Sequence, residues 1–414
     1  MSDLCHRRET CRLCGSGNLV PAFKLTPTPP ANAFVTADKL NEKQECFPLD
    51  VFFCNDCAHV QLLDVVDPKA LFENYVYVSG TSPVFVAHFC DYAADLLKRF
   101  APSPKSLAVD IGSNDGTLLK FFKEAGMRVL GIDPATDIAR RAAEDGIETI
   151  AGFFTPDQAL RIREKHGRAA IITANNVFAH IDDLTGVAAG VRELLDDNGV
   201  FSFEVSYLAD VVDNTLFDMT YHEHLAYHSV KPLRRFFTAN GMEMIEALRT
   251  DSHGGSLRGI ARLKNGGHPA GASVGEMIAL EEEKKLDRVE TLVDFGDKIE
   301  EKKRELGSLL RRLKSDGKTI AGFGAPAKAT TLMYHFGLGP DIIDFIVDDS
   351  PLKQGLFSPG FHIPVLPSAA IYERKPDYLL ILAWNFAEPI ISKHQSFSRE
   401  GGRFIIPLPA IRII

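Results

Sequence analysis

Twice along the chain a short apolar run stops at a glycine turn and gives way to a helical pattern, which confines the fold to α/β architectures. The first case is Ser106-Leu107-Ala108-Val109-Asp110, followed by a helical stretch from Thr117 to Glu124. The second begins at Lys318, where Ile320-Ala321 runs into Gly322-Phe323-Gly324 and a helix-compatible stretch from Pro326. Strand-like runs at 128–132, 169–173 and 200–205 extend the first unit, and those at 342–347 and 378–382 extend the second. Such alternation implies parallel sheets covered on both faces. The expected division is a small cysteine-rich module over 1–70, a doubly wound α/β domain over 71–246 and a second, Rossmann-like α/β domain over 247–414.

Composition narrows the function classes. Apolar residues make up 45% of the chain and charged residues 24%, as expected of a folded globular protein. The net charge of −9 offers no electrostatic footprint for nucleic acid. No apolar run reaches the length of a membrane span, and the N-terminal sequence lacks the apolar core of a secretory signal, so the cytoplasm is the expected compartment. Between 274 and 313, apolar residues including Leu286, Leu292, Ile299, Leu306, Leu310 and Leu313 recur at helical spacing among Lys and Glu. This predicts one long amphipathic helix or two, packed against a domain.

Four of the seven cysteines form two pairs, Cys11-x-x-Cys14 and Cys54-x-x-Cys57. Each pair can clamp one side of a tetrahedral zinc ion at about 2.3 Å per thiolate. Four protein ligands leave no open position, so the ion is expected to be structural. A redox role is weaker, because neither pair sits at a strand-to-helix turn. Cys5, Cys46 and Cys90 are expected spectators.

Asp110-Ile111-Gly112-Ser113-Asn114-Asp115-Gly116 occupies the first strand-to-helix turn of the middle unit. It is Gly-x-x-x-Gly, and its acids would repel a pyrophosphate while tolerating a cationic sulfonium with an amino-acid tail. Asp133, at the end of the next strand run, lies where a carboxylate grips a ribose diol. Phe153 could flank an adenine, and Asn175 and Asn176 fall at the carboxyl edge of the fourth strand. Asp110, Gly112, Asn114, Gly116, Asp133, Phe153 and Asn175 are the candidate cofactor contacts. The layout resembles the class I S-adenosylmethionine (SAM)-dependent methyltransferases.

Tyr221-His222-Glu223-His224 follows the fifth strand region. It is not a His-Glu-x-x-His metal motif, but it is dense in groups able to move a proton at neutral pH. In chain order, the cysteine pairs, the Asp110–Gly116 turn, the Tyr221–His224 block, Ser252-His253-Gly254-Gly255-Ser256-Leu257-Arg258 and Gly322-Phe323-Gly324-Ala325-Pro326-Ala327-Lys328 together resemble the nucleotide-sugar C-methyltransferases that build branched deoxysugars. The resemblance implies a dTDP-linked 4-keto-6-deoxyhexose substrate, methylated at C-3 or in some members at C-5, lying between the middle and C-terminal domains. It implies His224 as base with Glu223 orienting it, Tyr221 and Tyr75 as enolate or sugar contacts, and Asn176 and His180 as pocket wall.

The turn at Gly322-x-Gly324 lacks the third glycine of a dinucleotide fingerprint, and Lys328 stands near the start of its helix. Lys328, with Ser256 and Arg258, is therefore a candidate site for the substrate pyrophosphate. The competing readings are a sugar O-methyltransferase, an NAD-dependent oxidoreductase using this turn, and a non-catalytic zinc-bearing sugar-nucleotide-binding protein. Oligomeric state is left open by the sequence.

Overall fold

The computed structural model describes residues 4–72, 79–81 and 83–414. Its middle unit is a seven-stranded sheet whose strands lie in the order Met242–Thr250, Ser256–Leu263, Leu195–Ser206, Ala169–Asn175, Leu107–Ile111, Arg128–Asp133, Thr149–Ala151. All run parallel except Ser256–Leu263, which is antiparallel to both neighbours. Starting at Leu107–Ile111, the chain builds toward one edge and then crosses to the other side at Ala169–Asn175. Ligands bind at the carboxyl ends of strands where the order reverses in this way. The central strand Leu107–Ile111 is buried at every position, which explains its unbroken apolar run around Asp110.

Ser256–Leu263, grouped by sequence with the C-terminal unit, is hydrogen-bonded inside the middle sheet, so this sheet continues past residue 246. The Gly254-Gly255 turn delivers it there: both glycines have positive φ, and a side chain at 255 would collide with Asp210.

The amphipathic segment forms two helices, Ser273–Glu283 and Val289–Ser315, separated where Lys285 adopts a left-handed conformation. The first packs Val274 and Ile278 onto the middle core. The second places Leu292, Phe295 and Ile299 in one core with Leu49, Val51 and Leu62 of the N-terminal module, and Leu306, Leu310 and Leu313 lie in the same continuous core as the C-terminal domain. Phe23 and Phe295 meet edge to face at 5.3 Å, and Gly296 lets the strand of Phe23 approach the helix backbone. Val293, next to Leu292, faces solvent.

The N-terminal module is an antiparallel sheet of Leu19–Thr28, Phe47–Cys54 and Val60–Leu62, extended by Ala226–Tyr227 from the middle unit. The C-terminal sheet places Val365–Leu366, Ile346–Val347, Ile320–Phe323, Tyr378–Ile381 and Arg403–Ile406 in parallel, with Arg412–Ile413 antiparallel at one edge. The expected strand over 342–347 is shorter, because only Ile346–Val347 pairs. Among the described residues no helix is long and apolar enough to cross a membrane.

Candidate active site

The turn after Leu107–Ile111 is built from residues in the left-handed region: Gly112 at φ +71°, Asn114 at +51° and Gly116 at +74°. A side chain at 112 would collide with Val177, and one at 116 would come within 2.9 Å of Ile147. Glycine is therefore demanded twice over, by conformation and by space. Asp133 ties this turn to the neighbouring strand, its carboxylate accepting the backbone N–H of Asn114 and of Ala135, each at 2.8 Å. Asp110 is buried and accepts the Thr173 hydroxyl at 2.6 Å. Burial pushes its carboxyl up to about 7, Asp133 adds in the same direction, and the Thr173 bond opposes both.

Asn175 ends the fourth strand with both polar atoms of its amide buried, and neither finds a hydrogen-bond partner among the described residues. A buried amide lacking both a donor and an acceptor partner costs free energy unless a ligand or water completes it. At the carboxyl edge, beside an acid-lined glycine turn, this fits a ligand with a cationic tail and a heteroaromatic base. Phe153 follows the third strand with an exposed ring at the rim, whereas Phe154 is core and packs against Gly190.

The histidines come next. His180 follows the fourth strand, its backbone N–H bonded to the Val177 carbonyl, and Val177 is the side chain packed over Gly112. Leu225 and Ala226 both donate to the carbonyl of Ala179, which seats the 221–226 segment against this strand end. His224 thereby stacks on His180 at 4.9 Å, and the Tyr221 ring lies 4.0 Å from His224. Phe72 stacks on the other partner, His180, at 5.7 Å. Asn176 takes a left-handed backbone at φ +55°, and its N–H pairs with the Glu204 carbonyl.

His224 Nδ1–H donates to the Met219 carbonyl at 2.7 Å. A carbonyl can only accept, so the proton sits on Nδ1 and the imidazole lone pair on Nε2. Glu223 was expected to orient this ring. Instead the Met219 carbonyl holds Nδ1, and the Glu223 carboxylate accepts from Asn32 Nδ2 of the N-terminal module at 2.8 Å, because successive side chains leave this segment on different sides. His222 is buried, with Nε2 at 3.2 Å from the Phe47 carbonyl, and burial lowers its pKa to about 4. It belongs to the packing. Tyr75 lies outside the described residues.

The three proposed pyrophosphate residues are all buried. Arg258 is in the middle sheet with its guanidinium on the Glu204 carboxylate, at 2.9 and 3.1 Å, and over the Tyr92 ring at 3.9 Å. Ser256 donates to the Ser252 carbonyl at 3.0 Å. Both face partners inside the fold because strand pairing, not a loop, sets their direction. Lys328 is 7% exposed, its Nζ 3.9 Å from the Trp384 ring centroid and attracted to buried Asp218.

Sequence reasoning passed over Met219, which contributes only a carbonyl and leaves no side-chain signal. It also passed over Glu204, which collects His88 Nε2 at 2.8 Å, Ser252 Oγ at 2.7 Å and Arg258. An acid inside Phe201-Ser202-Phe203-Glu204-Val205 was a usable signal, since a buried carboxylate requires partners.

In the N-terminal module the four cysteine sulfurs converge, all within 4.8 Å of one another, with Cys11–Cys57 and Cys14–Cys54 each at 3.6 Å. Those separations exceed the roughly 2.05 Å of a disulfide. They match the edge of about 3.8 Å expected for sulfurs tetrahedrally placed 2.3 Å from zinc.

Three sequence families match in chain order: a "Putative zinc binding domain" over 11–72, a methyltransferase domain over 86–247 and a C-methyltransferase C-terminal domain over 251–409. C-methyltransferase NovU from Streptomyces niveus is 35% identical over 414 residues, covering 100% of this chain and 99% of that protein. Among solved structures, the PH0226 protein from Pyrococcus horikoshii OT3 matches at TM-score 0.37 and 14% identity, over 47% of this chain and 98% of that one. Magnesium protoporphyrin IX methyltransferase from Synechocystis PCC 6803 with bound SAH matches at TM-score 0.34 and 16% identity, over 43% and 84%. With a relative 35% identical from end to end and all three families present in order, this chain belongs to the C-methyltransferases, as a SAM-dependent enzyme with a zinc-binding N-terminal module.

Proposed function

We propose that the enzyme methylates the carbon beside the ketone of a nucleotide-linked 4-keto-deoxysugar, with C-3 of a dTDP-linked 4-keto-6-deoxyhexose as the leading candidate. The observation that carries this reading is the tautomer of His224: with Nδ1–H committed to the Met219 carbonyl, the basic nitrogen is Nε2. An imidazole cannot deprotonate an ordinary C–H. It can when an adjacent ketone spreads the resulting charge onto oxygen, and a C-methyltransferase that relies on such a base therefore needs a carbonyl next to the reacting carbon.

Each residue of the crevice has a part. His224 Nε2 takes the proton from carbon, and the Met219 carbonyl then stabilises the imidazolium through a charge-assisted bond at Nδ1. His180 is held neutral by burial, with its pKa well below the usual histidine value, so the new imidazolium does not face a second cation. The Tyr221 hydroxyl, carried beside His224, is the candidate donor to the enolate oxygen. Asp110, Asp133, Asn114 and Asn175, with the Gly112 and Gly116 turn, would hold SAM. When bound there, SAM supplies an electrophilic methyl on a sulfonium.

Methyl-labelled SAM incubated with a panel of 4-keto sugar nucleotides tests the assignment, with the label located by NMR. Label on the carbon beside the ketone is the expected result. Label on oxygen, or no transfer to any member of the panel, overturns it.

A further inference from the structure

We propose that the C-terminal domain sets the position of the His224 base through the Phe217–Met219 turn, with Lys328, Trp384 and Asp218 as positioning residues. The proposal rests on the reading of His224 as the base and assigns a clamp to residues otherwise candidates for substrate binding.

The helix Ala327–Phe336 presents Lys328, Thr331 and His335 at i, i+3 and i+7, on one face. The Phe217–Met219 turn sits on that face. Phe217 stacks on Phe336 at 4.9 Å and meets His335 edge-on at 5.7 Å. Thr331 Oγ1 donates to the Thr220 carbonyl at 2.7 Å. Asp218 is fully buried, and its Oδ2 accepts the Trp384 indole N–H at 2.6 Å. Lys328 lies over the same indole at 3.9 Å, with Asp218 as its attracting carboxylate.

The residue immediately after Asp218 is Met219, whose carbonyl holds His224 Nδ1. Anchoring the Asp218 carboxylate on the Trp384 indole, whose face Lys328 covers, therefore fixes the peptide that selects the tautomer and aims Nε2. The Trp384 indole serves a buried lysine through its face and a buried aspartate through its N–H, and each of those charges would be costly there alone. That mutual requirement makes the clamp two-sided, with one half supplied by each domain. A pyrophosphate role for Lys328 would require its Nζ to leave the indole.

Three variants of the full-length enzyme test this: Trp384→Phe, Lys328→Met and the charge-neutral double variant Asp218→Asn/Lys328→Met. The readouts are the imidazole ¹⁵N shifts of His224, SAM affinity, and the pH profile of solvent exchange at the sugar carbon without SAM. Trp384→Phe and Lys328→Met should shift His224 toward a mixture of tautomers and slow exchange by about 10- to 100-fold, as expected when a catalytic group is misplaced by about 1 Å. SAM affinity should stay within about threefold of wild type, and the double variant should regain most of the exchange rate lost by Lys328→Met.

Unchanged His224 shifts together with an unchanged exchange profile in Trp384→Phe would overturn the proposal. So would a Lys328→Met enzyme that loses only affinity for the sugar nucleotide. If Lys328→Met does not fold, Trp384→Phe and the double variant still decide the matter. Retained exchange in His224→Asn would remove the base reading alone, because the nitrogen shifts report on the clamp whether or not His224 moves a proton.

Discussion

The rings of His180 and His224 are stacked, centroids 4.9 Å apart and 26° from parallel, and the two face each other across the end of the fourth strand. Burial lowers the pKa of His180 far below the histidine norm, and His224 adds in the same direction, so His180 is held neutral beside the proposed base. Replacing His224 with Asn should lower methyl transfer by about 100- to 10,000-fold, the usual effect of removing a positioned base. SAM affinity should stay near wild type, because the glycine turn and Asp133 hold their geometry through bonds that do not involve His224. Turnover and calorimetric SAM binding, measured on the same preparation, check both parts. A variant that methylates at the wild-type rate would end the assignment.

Asp110 predicts how cofactor binding responds to pH. Its carboxyl, pushed up to about 7 by burial, is largely protonated at pH 6 and ionised at pH 8. A cationic ligand prefers the ionised form, so SAM should bind up to about tenfold more tightly at pH 8 than at pH 6. Stability runs the other way. The folded pKa lies above the unfolded value of about 3.9, so the contribution is full below pH 4 and is lost as pH rises through 7. In Asp110→Asn both trends should flatten across pH 6 to 8. Calorimetric titration at three pH values reads the first and thermal melts read the second.

How far the sequence could be read follows from where the information sits. The central strands were legible because unbroken apolar runs and the Gly112–Gly116 turn are local signals, and both cysteine pairs announce themselves by spacing. Ser256–Leu263 was harder. Its place in the middle sheet depends on antiparallel pairing with Leu195–Ser206, a contact no local window contains. The same reason hid the partners of Arg258 and Lys328, which look like free cations in sequence and lie on the Glu204 carboxylate and over the Trp384 indole in the fold. Met219 acts through its backbone, so nothing about its side chain could mark it.

Glu204 is the second place where charge is buried on purpose. Burial alone would raise its pKa, but His88, Arg258 and Ser252 outweigh burial and hold it at about 2. Arg258→Met would leave this carboxylate inside the sheet without its guanidinium, at a cost of about 3–5 kcal/mol, measurable by urea unfolding at pH 7. The folded pKa lies below the unfolded value of about 4.3, so the stabilisation is complete above pH 4.3 and disappears as pH falls through 2. Glu204→Gln should remove that acid-side dependence. An unfolding curve for Glu204→Gln that keeps the wild-type slope between pH 4 and 2 would contradict the assignment.

Zinc removal should be felt far from the zinc. The cysteine cluster closes the end of a sheet whose Leu49, Val51 and Leu62 share one core with Leu292, Phe295 and Ile299 of the long helix, and that helix continues into the C-terminal domain. Four uncoordinated thiols at 3.6 to 4.8 Å would crowd without a cation to organise them, since metal binding supplies the folding free energy of such sites. The module also pairs Val60 and Gln61 with Tyr227 and Ala226, two residues beyond His224. A chelator, or Cys14→Ser, should therefore lower the melting temperature of the whole chain rather than of residues 1–70 alone. It should also slow turnover by loosening the Ala226–Tyr227 strand just after the proposed base. Metal analysis should find one zinc per chain in the untreated enzyme. Loss of that zinc with an unchanged melting curve and unchanged turnover would show that the module folds by its apolar contacts alone.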